Sequence, residues 1–317
     1  MPACGAREVL TENDPSQRQG DEVLRRLELD VTRRLDGILH GEHRGLVPGH
    51  GSEPGEARPY QPGDDVRRID WCVTARLNST HVRESIADRE LETWIVADRS
   101  ASLDFGTVKW EKRDLLLAGA AGVGLLTTRG GNRVGAVIVD GSGCSTIPAR
   151  QGRKHLLSIL SRIQQAERID GAPALDLGAT LKRTASITKR RGLVVVISDW
   201  LDDPETWRHP LAALAVRHQV LCIETVDQRE LELPGVGLLT LVDTETGRTR
   251  EIDTNNRGLR ERYAAAAAEQ REAIVNAIIG AGADHLRLRT DGDWVLDLAR
   301  HVTVNKRRHA NVSRGRR

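Results

Sequence analysis

Residues 91–102 read LETWIVADRSAS, an apolar run that ends in polar side chains. Leu91 to Ala97 is a mostly apolar run of strand length. It leads straight into Asp98, and Ser100 and Ser102 follow two and four residues later. In an open α/β sheet, ligands bind beyond the carboxyl ends of the strands, so these side chains predict a binding site made of hard oxygen ligands. Such ligands suit Mg²⁺ or Mn²⁺.

Strands and helices alternate through the rest of the sequence. The clearest strand is Leu193 to Ser198 (LVVVIS), whose uninterrupted apolar run is typical of a parallel strand buried on both faces. Other strands are predicted at 133–139, 144–147, 220–224 and 285–288, with helices at 110–128, 154–163, 180–188, 204–217 and 257–279. This alternation predicts an α/β fold, with a doubly wound, mostly parallel sheet and helices on both faces.

Composition divides the chain into four segments. Residues 1–20 are polar and predicted to be a flexible N-terminus, and residues 21–88 combine an amphipathic helix with a stretch rich in glycine and proline. Residues 89–303 form the sheet domain, and residues 304–317 a basic flexible tail. A solvated end is the usual role of such a tail, and a contact with nucleic acid or acidic lipid is the minority interpretation.

Overall composition argues against several classes of function. The chain has 47 Lys and Arg against 45 Asp and Glu, so its net charge of +2 gives no strong field toward nucleic acid. Aromatic residues make up only 3%, too few for a base-stacking surface. The four cysteines lack CxxC spacing, which argues against a zinc site and suits a reducing compartment. No secretory signal or membrane-spanning run is visible, so we expect a cytoplasmic protein, with docking on a membrane-bound partner left open.

Two further residues extend the candidate site. Asp199 follows the strand Leu193 to Ser198, and Thr180 opens the helix before that strand. If this strand lies beside Leu91 to Ala97 at the switch point of the sheet, both side chains converge on Asp98. On spacing alone, an alternative has equal weight: the aspartate caps the next helix and the two serines belong to a turn.

Two sets of motifs resemble known families. Asp98-x-Ser100-x-Ser102, together with Thr180 and Asp199, resembles the metal-ion-dependent adhesion site (MIDAS) of von Willebrand factor A domains, in which the first and fourth strands lie side by side at the switch point. A wider set, across about residues 42–296, resembles the bacterial family called domain of unknown function 58: RPYQPGDDVRRIDW at 58–71, TAR at 74–76, VR at 82–83, DRSASLDFG at 98–106, ISD at 197–199, RELELP at 229–234 and ETG at 245–247.

The resemblance implies a von Willebrand factor A-like domain that acts with a MoxR-type AAA+ ATPase, as an adaptor or co-chaperone in the maturation or assembly of another protein. It also implies Mg²⁺ or Mn²⁺ at the five candidate residues. Two departures are visible. Many family members carry transmembrane helices, which this sequence lacks, and Leu103 stands where methionine is common. Position 103 is not a ligand position, so the second departure leaves the metal site intact.

The segment before the sheet domain offers a second set of candidate residues, namely Asp64, Asp65, Arg67, Arg68, Asp70 and Trp71. In one interpretation, the arginines pair with the acids and fix the loop against the sheet, with Trp71 as a buried anchor, because bidentate Arg–carboxylate pairing is a common way to hold a long loop. In the other, these residues form a partner-docking surface.

Three functions are compatible with the sequence. The favoured one is a non-catalytic protein-binding module, because hydroxyls rather than extra carboxylates around the ion leave it electrophilic toward an acidic side chain of a partner. A metal-dependent hydrolase or phosphotransferase is the alternative, but DxDxT, a phosphate loop, GxSxG and a placed general base are all missing. A scaffold without metal is the third. We therefore predict that the protein is not an enzyme.

Overall fold

A computed structural model describes residues 33–34, 57–61, 66, 69–77, 79–83, 92–166, 176–242 and 249–314. The strands are β1 Ala57–Pro59, β2 His81–Arg83, β3 Glu92–Asp98, β4 Arg133–Asp140, β5 Gly143–Arg150, β6 Gly192–Ser198, β7 Gln219–Val226, β8 Leu238–Val242, β9 Thr249–Asp253 and β10 Asp284–Arg289. The helices are α1 Trp71–Leu77, α2 Lys112–Arg129, α3 Arg153–Gln165, α4 Leu177–Ile187, α5 Pro204–Arg217, α6 Gln228–Leu231, α7 Arg257–Gly280 and α8 Trp294–Arg314.

The central sheet has the strand order β10-β7-β6-β3-β4-β5. All of its neighbouring strands are parallel except the edge strand β5, which runs antiparallel to β4. Strand β3 lies between β4 and β6, so the chain builds the sheet outward from β3 in both directions. This is the switch point at which α/β sheets bind ligands. The α/β, mostly parallel, doubly wound sheet predicted from the sequence is confirmed.

Both faces of the sheet are buried under helices. Alternate side chains of β3 point to opposite faces, so that Ile95 packs with helices α2, α3 and α8, whereas Val96 packs with helices α4, α5 and α7. This two-sided burial explains why β3 and β6 are continuous apolar runs in the sequence.

Helix α2 is buried along most of its length, and its glycines allow close packing. A Cβ atom at Gly124 would lie 2.3 Å from Leu156 Cδ1 in α3, and one at Gly122 would lie 2.5 Å from Leu298 Cδ2 in α8. None of the helices in the described part of the chain is both long and apolar enough to cross a membrane.

The segment before the sheet domain corrects one interpretation. Trp71 is 71% exposed, so it is not the buried anchor that the loop-fixing interpretation requires. It starts helix α1, in which no residue is buried. The carboxylate of Asp70 accepts hydrogen bonds from the backbone N–H groups of Cys72 and Val73 and so caps this helix. The remaining candidates of this segment, Asp64, Asp65, Arg67 and Arg68, lie outside the described residues.

Helix α8 extends into the C-terminal segment. The sequence predicts a flexible tail from residue 304, and the backbone is helical as far as Arg314. Lys and Arg are good helix formers, so the basic composition of this segment is compatible with a helix. Flexibility of the tail stays a prediction.

Candidate metal site at the sheet switch point

The two aspartates of the candidate site lie at the ends of neighbouring strands. Asp98 is the last residue of β3, and Asp199 directly follows β6. The register pairs Ala97 with Ile197, so the two strands end side by side. Both aspartates are only 4% exposed. The strand adjacency that the sequence analysis required is therefore present.

Asp98 is held in place by its neighbours. The backbone N–H of Ser100 donates to Asp98 Oδ1 at 2.8 Å, and Ser198 Oγ donates to Oδ2 at 2.7 Å. Ser100 Oγ lies 3.1 Å from Ser102 Oγ. Ser102 belongs to a short 3₁₀ turn, Ala101–Leu103, which is anchored by the fully buried Leu103. The carboxylate and the two hydroxyls of the DxSxS motif thus form one compact cluster.

The charge of Asp98 is destabilised in this position. Burial raises the pKa of Asp98, and the neighbouring Asp199 carboxylate raises it further, to about 6 despite hydrogen bonds from Ser198 and Ser100. No ion pair among the described residues includes Asp98. Two buried carboxylates and two nearby hydroxyls fit the hard oxygen ligands that Mg²⁺ or Mn²⁺ requires, and such an ion would relieve the repulsion.

This repulsion leads to a pH-dependent prediction. The pKa of Asp98 is about 6 in the fold against an ordinary 3.8, so between those pH values the folded chain binds more protons than the unfolded chain. The contribution of Asp98 to stability should therefore fall as pH rises through this window. Asp98→Asn removes the charge but loses one hydrogen-bond acceptor, so we expect the metal-free variant to be more stable than the wild type by about 1–2 kcal/mol above pH 7, and no more stable near pH 4, where Asp98 is already protonated in the fold.

Urea unfolding in EDTA at both pH values measures this effect. Asp203→Asn is the matched control, because Asp203 is an exposed N-cap of α5 and asparagine caps a helix equally well. A metal-free Asp98→Asn variant that is less stable than the wild type above pH 7 would show that the Asp98 charge is well accommodated without a cation.

Asp199 is bound by a buried lysine that the sequence analysis missed. Lys112, at the start of α2, is 1% exposed. Its Nζ donates to Asp199 Oδ2 at 3.0 Å and also to Glu230 Oε1. Burial alone would lower the pKa of Lys112, but the charges of Asp199 and Glu230 outweigh burial and raise it. Lysine is almost never fully buried unless it is paired, so this ammonium group belongs to the site.

An ion network extends from Lys112 across the carboxyl end of the sheet. Arg271 Nη1 donates to the backbone carbonyl oxygen of Asp199 at 2.9 Å and to Glu224 Oε1 at 3.0 Å, and its Nη2 donates to Glu230 Oε2 at 3.1 Å. Glu224 Oε2 lies 2.8 Å from both His285 Nε2 and Arg287 Nε. The loop that carries Asp199 is thereby fixed to helices α6 and α7.

The backbone after Asp199 is unusual. Trp200 has a φ of +59°, a conformation that bulky residues rarely adopt. Its N–H donates to Ser198 Oγ at 3.2 Å, and its indole Nε1–H donates to Ile223 O at 3.2 Å. Its ring packs edge-on against Trp207, with centroids 5.0 Å apart. Backbone strain held by such packing is common at functional sites, and here it lies directly after Asp199.

Thr180 is buried on helix α4, and its hydroxyl donates to the backbone carbonyl of Asp176 at 3.0 Å. The neighbouring Leu177 and Leu181 pack in the same core as Trp200, so α4 lies on the face of the sheet that Trp200 covers. Asp98, Ser100, Ser102 and Asp199 are brought together by the fold. A role for Thr180 as a fifth ligand stays a prediction. Among the described residues no group of three or more His, Cys, Asp or Glu forms a metal cluster, so hydroxyls would have to complete the site.

A mostly parallel sheet with this strand order and an oxygen cluster at its switch point is of the von Willebrand factor A-like class. The chain belongs to the family described as Protein of unknown function DUF58, whose profile matches residues 56–273.

Relatives of similar length have similar amino-acid sequences. The chain is 49% identical over 300 residues, 92% of its own length and 94% of the relative's, to "Uncharacterized protein Rv1480" of Mycobacterium tuberculosis (strain ATCC 25618 / H37Rv). Among solved structures it is similar to an aerotolerance-related membrane protein of Bacteroides fragilis, with a TM-score of 0.43, 15% identity, and coverage of 68% of this chain and 99% of that one. It is also similar to BatB of Bacteroides thetaiotaomicron, with a TM-score of 0.39, 15% identity, and coverage of 67% and 97%.

Proposed function

We propose that this chain is a non-catalytic protein-binding module that binds an acidic side chain of a partner through a divalent cation. Asp98, Ser100, Ser102 and Asp199, with Thr180, would hold Mg²⁺ or Mn²⁺. The observation that supports this most strongly is the juxtaposition of two buried carboxylates at the switch point, where Asp98 has a raised pKa and lacks an ion-pair partner among the described residues.

The chemistry of the cluster favours binding of an acidic group. A bound divalent cation would supply a coordination position for a ligand from the partner. Serine hydroxyls neutralise less of the cation's charge than further carboxylates would, so the ion would remain attractive to an incoming carboxylate. The buried, hydrogen-bonded setting of Asp98 fixes the geometry before the partner arrives.

Catalysis is disfavoured because Asp98 and Asp199 would be occupied as metal ligands and the other nearby acids are already engaged. Glu230 binds both Lys112 and Arg271, and Glu224 binds Arg271 and Arg287. A general base needs a free lone pair within reach of its proton donor. A metal-dependent hydrolase remains the alternative function, and a scaffold without metal is the second.

The partner that we propose is a MoxR-type AAA+ ATPase, on the basis of the family resemblance. In this proposal the chain is a cytoplasmic adaptor or co-chaperone that the ATPase uses in the maturation or assembly of a client protein. Docking of the pair on a membrane-bound client is compatible with it.

A pull-down tests the bridge. The immobilised full-length chain should recover the MoxR-type ATPase of the same organism in Mg²⁺ but not in EDTA, and Asp98→Ala should lose recovery in both, because the partner's acid would bind through the ion. Asp203→Asn is the control and should behave as the wild type. Equal recovery with and without Mg²⁺ would refute the bridge and leave the partnership intact. Absence of recovery in every arm would contradict the partnership.

A further inference from the structure

We propose that Lys112 is a positioning residue that competes with the divalent cation for Asp199 and lowers the affinity of the site for that cation. The inference rests on the proposed function, since it concerns the same site. It assigns a role to a buried ammonium group that a carboxylate-and-hydroxyl site does not itself require.

The geometry places Lys112 directly on a ligand. Its Nζ is 3.0 Å from Asp199 Oδ2, and the two side chains are 1% and 5% exposed. Among the residues that the structure describes, the other oxygen of Asp199, Oδ1, accepts only a long contact of 3.4 Å from the backbone N–H of Leu201. One carboxylate oxygen of Asp199 is therefore bound by the Lys112 ammonium group, and the other is available to a divalent cation.

Lys112 is also held firmly in this position. Its backbone N–H donates to Phe105 O at 2.8 Å, and its Nζ lies 5.9 Å from the centroid of the Phe105 ring. Glu230 Oε1 accepts a second hydrogen bond from Nζ. Because backbone, ring and two carboxylates all constrain it, Lys112 cannot swing away easily when another cation approaches.

The charges around the site show what Lys112 changes. Asp98, Asp199 and Glu230 carry three negative charges against the two positive charges of Lys112 and Arg271, while Glu224 and Arg287 offset each other. A divalent cation turns this net charge of minus one into plus one. Without Lys112 the loaded site would be neutral. Lys112 therefore weakens cation binding and strengthens the attraction of the loaded site for a carboxylate.

A substitution at Glu230 should change the affinity for the divalent cation in the opposite direction. The Glu230 carboxylate binds the same ammonium group as Asp199, which weakens the interaction of Lys112 with Asp199, and it adds a negative charge near the site. Glu230→Gln keeps an oxygen acceptor but leaves Asp199 as the carboxylate partner of Lys112. Cation affinity should then decrease. A merely structural role for this pair would destabilise the fold in both variants without moving cation affinity in opposite directions.

The experiment is a calorimetric titration of Mn²⁺ into the metal-free full-length chain near neutral pH. Lys112→Met should bind Mn²⁺ on the order of tenfold more tightly than the wild type, because a like charge is removed from a buried site, and Glu230→Gln should bind it several-fold more weakly. Lys112→Gln is the second neutral variant, in case methionine prevents folding. Circular dichroism checks the fold of each.

The outcomes separate this inference from the proposed function. If the wild type binds Mn²⁺ and neutral variants at Lys112 bind it with the same affinity, the role of Lys112 is refuted and the metal site stands. If only the Lys112 variants bind Mn²⁺, the competition is supported and the proposed bridge in the wild type falls. If no variant binds, both are overturned.

Discussion

Replacement of Glu224 with alanine is expected to destabilise the fold by about 3–5 kcal/mol, because it removes a fully buried carboxylate from the buried Arg271 and from Arg287. Glu224 is fully buried, and its two oxygens lie 3.0 Å from Arg271 Nη1 and 2.8 Å from Arg287 Nε. His285 Nε2 is also 2.8 Å away. Arg271 keeps Glu230 and the carbonyl of Asp199 as partners, and Arg287 is 34% exposed, so we expect the lower half of this range.

The pH dependence of this effect has a definite sign. Burial alone would raise the pKa of Glu224, but the hydrogen bonds from His285 and Arg287 and the charges of Arg287 and Arg271 outweigh it and hold the pKa below its ordinary 4.5. The stability that Glu224 contributes is therefore present above pH 4.5 and is lost as pH falls through its folded pKa. The difference between wild type and Glu224→Ala should shrink in acid.

Urea unfolding near pH 7 measures the destabilisation. Glu261→Ala is the control, because the Arg257–Glu261 pair is exposed, at 84% and 63%, and pairs of this kind contribute less than about 1 kcal/mol. A loss of less than about 1 kcal/mol in Glu224→Ala would contradict the importance of the ion network for stability.

The second large effect concerns the divalent cation. Mg²⁺ or Mn²⁺ at a hundredfold excess over its dissociation constant should stabilise the wild type by about 2.7 kcal/mol, because the ion binds the folded chain and not the unfolded one. For a domain of this size, that corresponds to a rise in Tm of roughly 5–10 °C. Asp98→Ala should remove the rise, since it deletes a carboxylate and lessens the repulsion that the ion relieves.

Thermal melting with and without the ion tests this effect. Asp203→Asn should keep the full shift, because Asp203 lies in an exposed helix cap. An unchanged shift in Asp98→Ala would place the bound ion elsewhere on the chain. A wild type that does not respond to either ion would favour the scaffold without metal.

The position of the two aspartates could be predicted from sequence because it depends on a general property of the fold. Parallel strands end at one edge, so Asp98 and Asp199 had to meet once β3 and β6 were neighbours. The adjacency of β3 and β6 was implied by the family resemblance, because apolar runs such as LVVVIS indicate that a strand is buried but do not indicate the strand order.

The ion network could not be predicted in this way. Lys112 lies 87 positions from Asp199, and Arg271 lies 47 from Glu224, so no local spacing connects them. Burial of charged residues becomes favourable only when the partners arrive from other elements, which is information that a single sequence does not contain. The interpretation of Trp71 as a buried anchor was wrong, because helix α1 leaves this side chain exposed.

If the switch-point cluster binds one divalent cation, the folded chain should take up Mn²⁺ in a ratio of one to one. Electron paramagnetic resonance measures free Mn²⁺ during a titration of the metal-free chain. We predict one bound ion per chain, displaced by excess Mg²⁺ and absent in a Ser100→Ala, Ser102→Ala double variant that keeps both aspartates. A free Mn²⁺ signal that rises in proportion to the added metal from the first addition, in the folded wild type, would contradict the account.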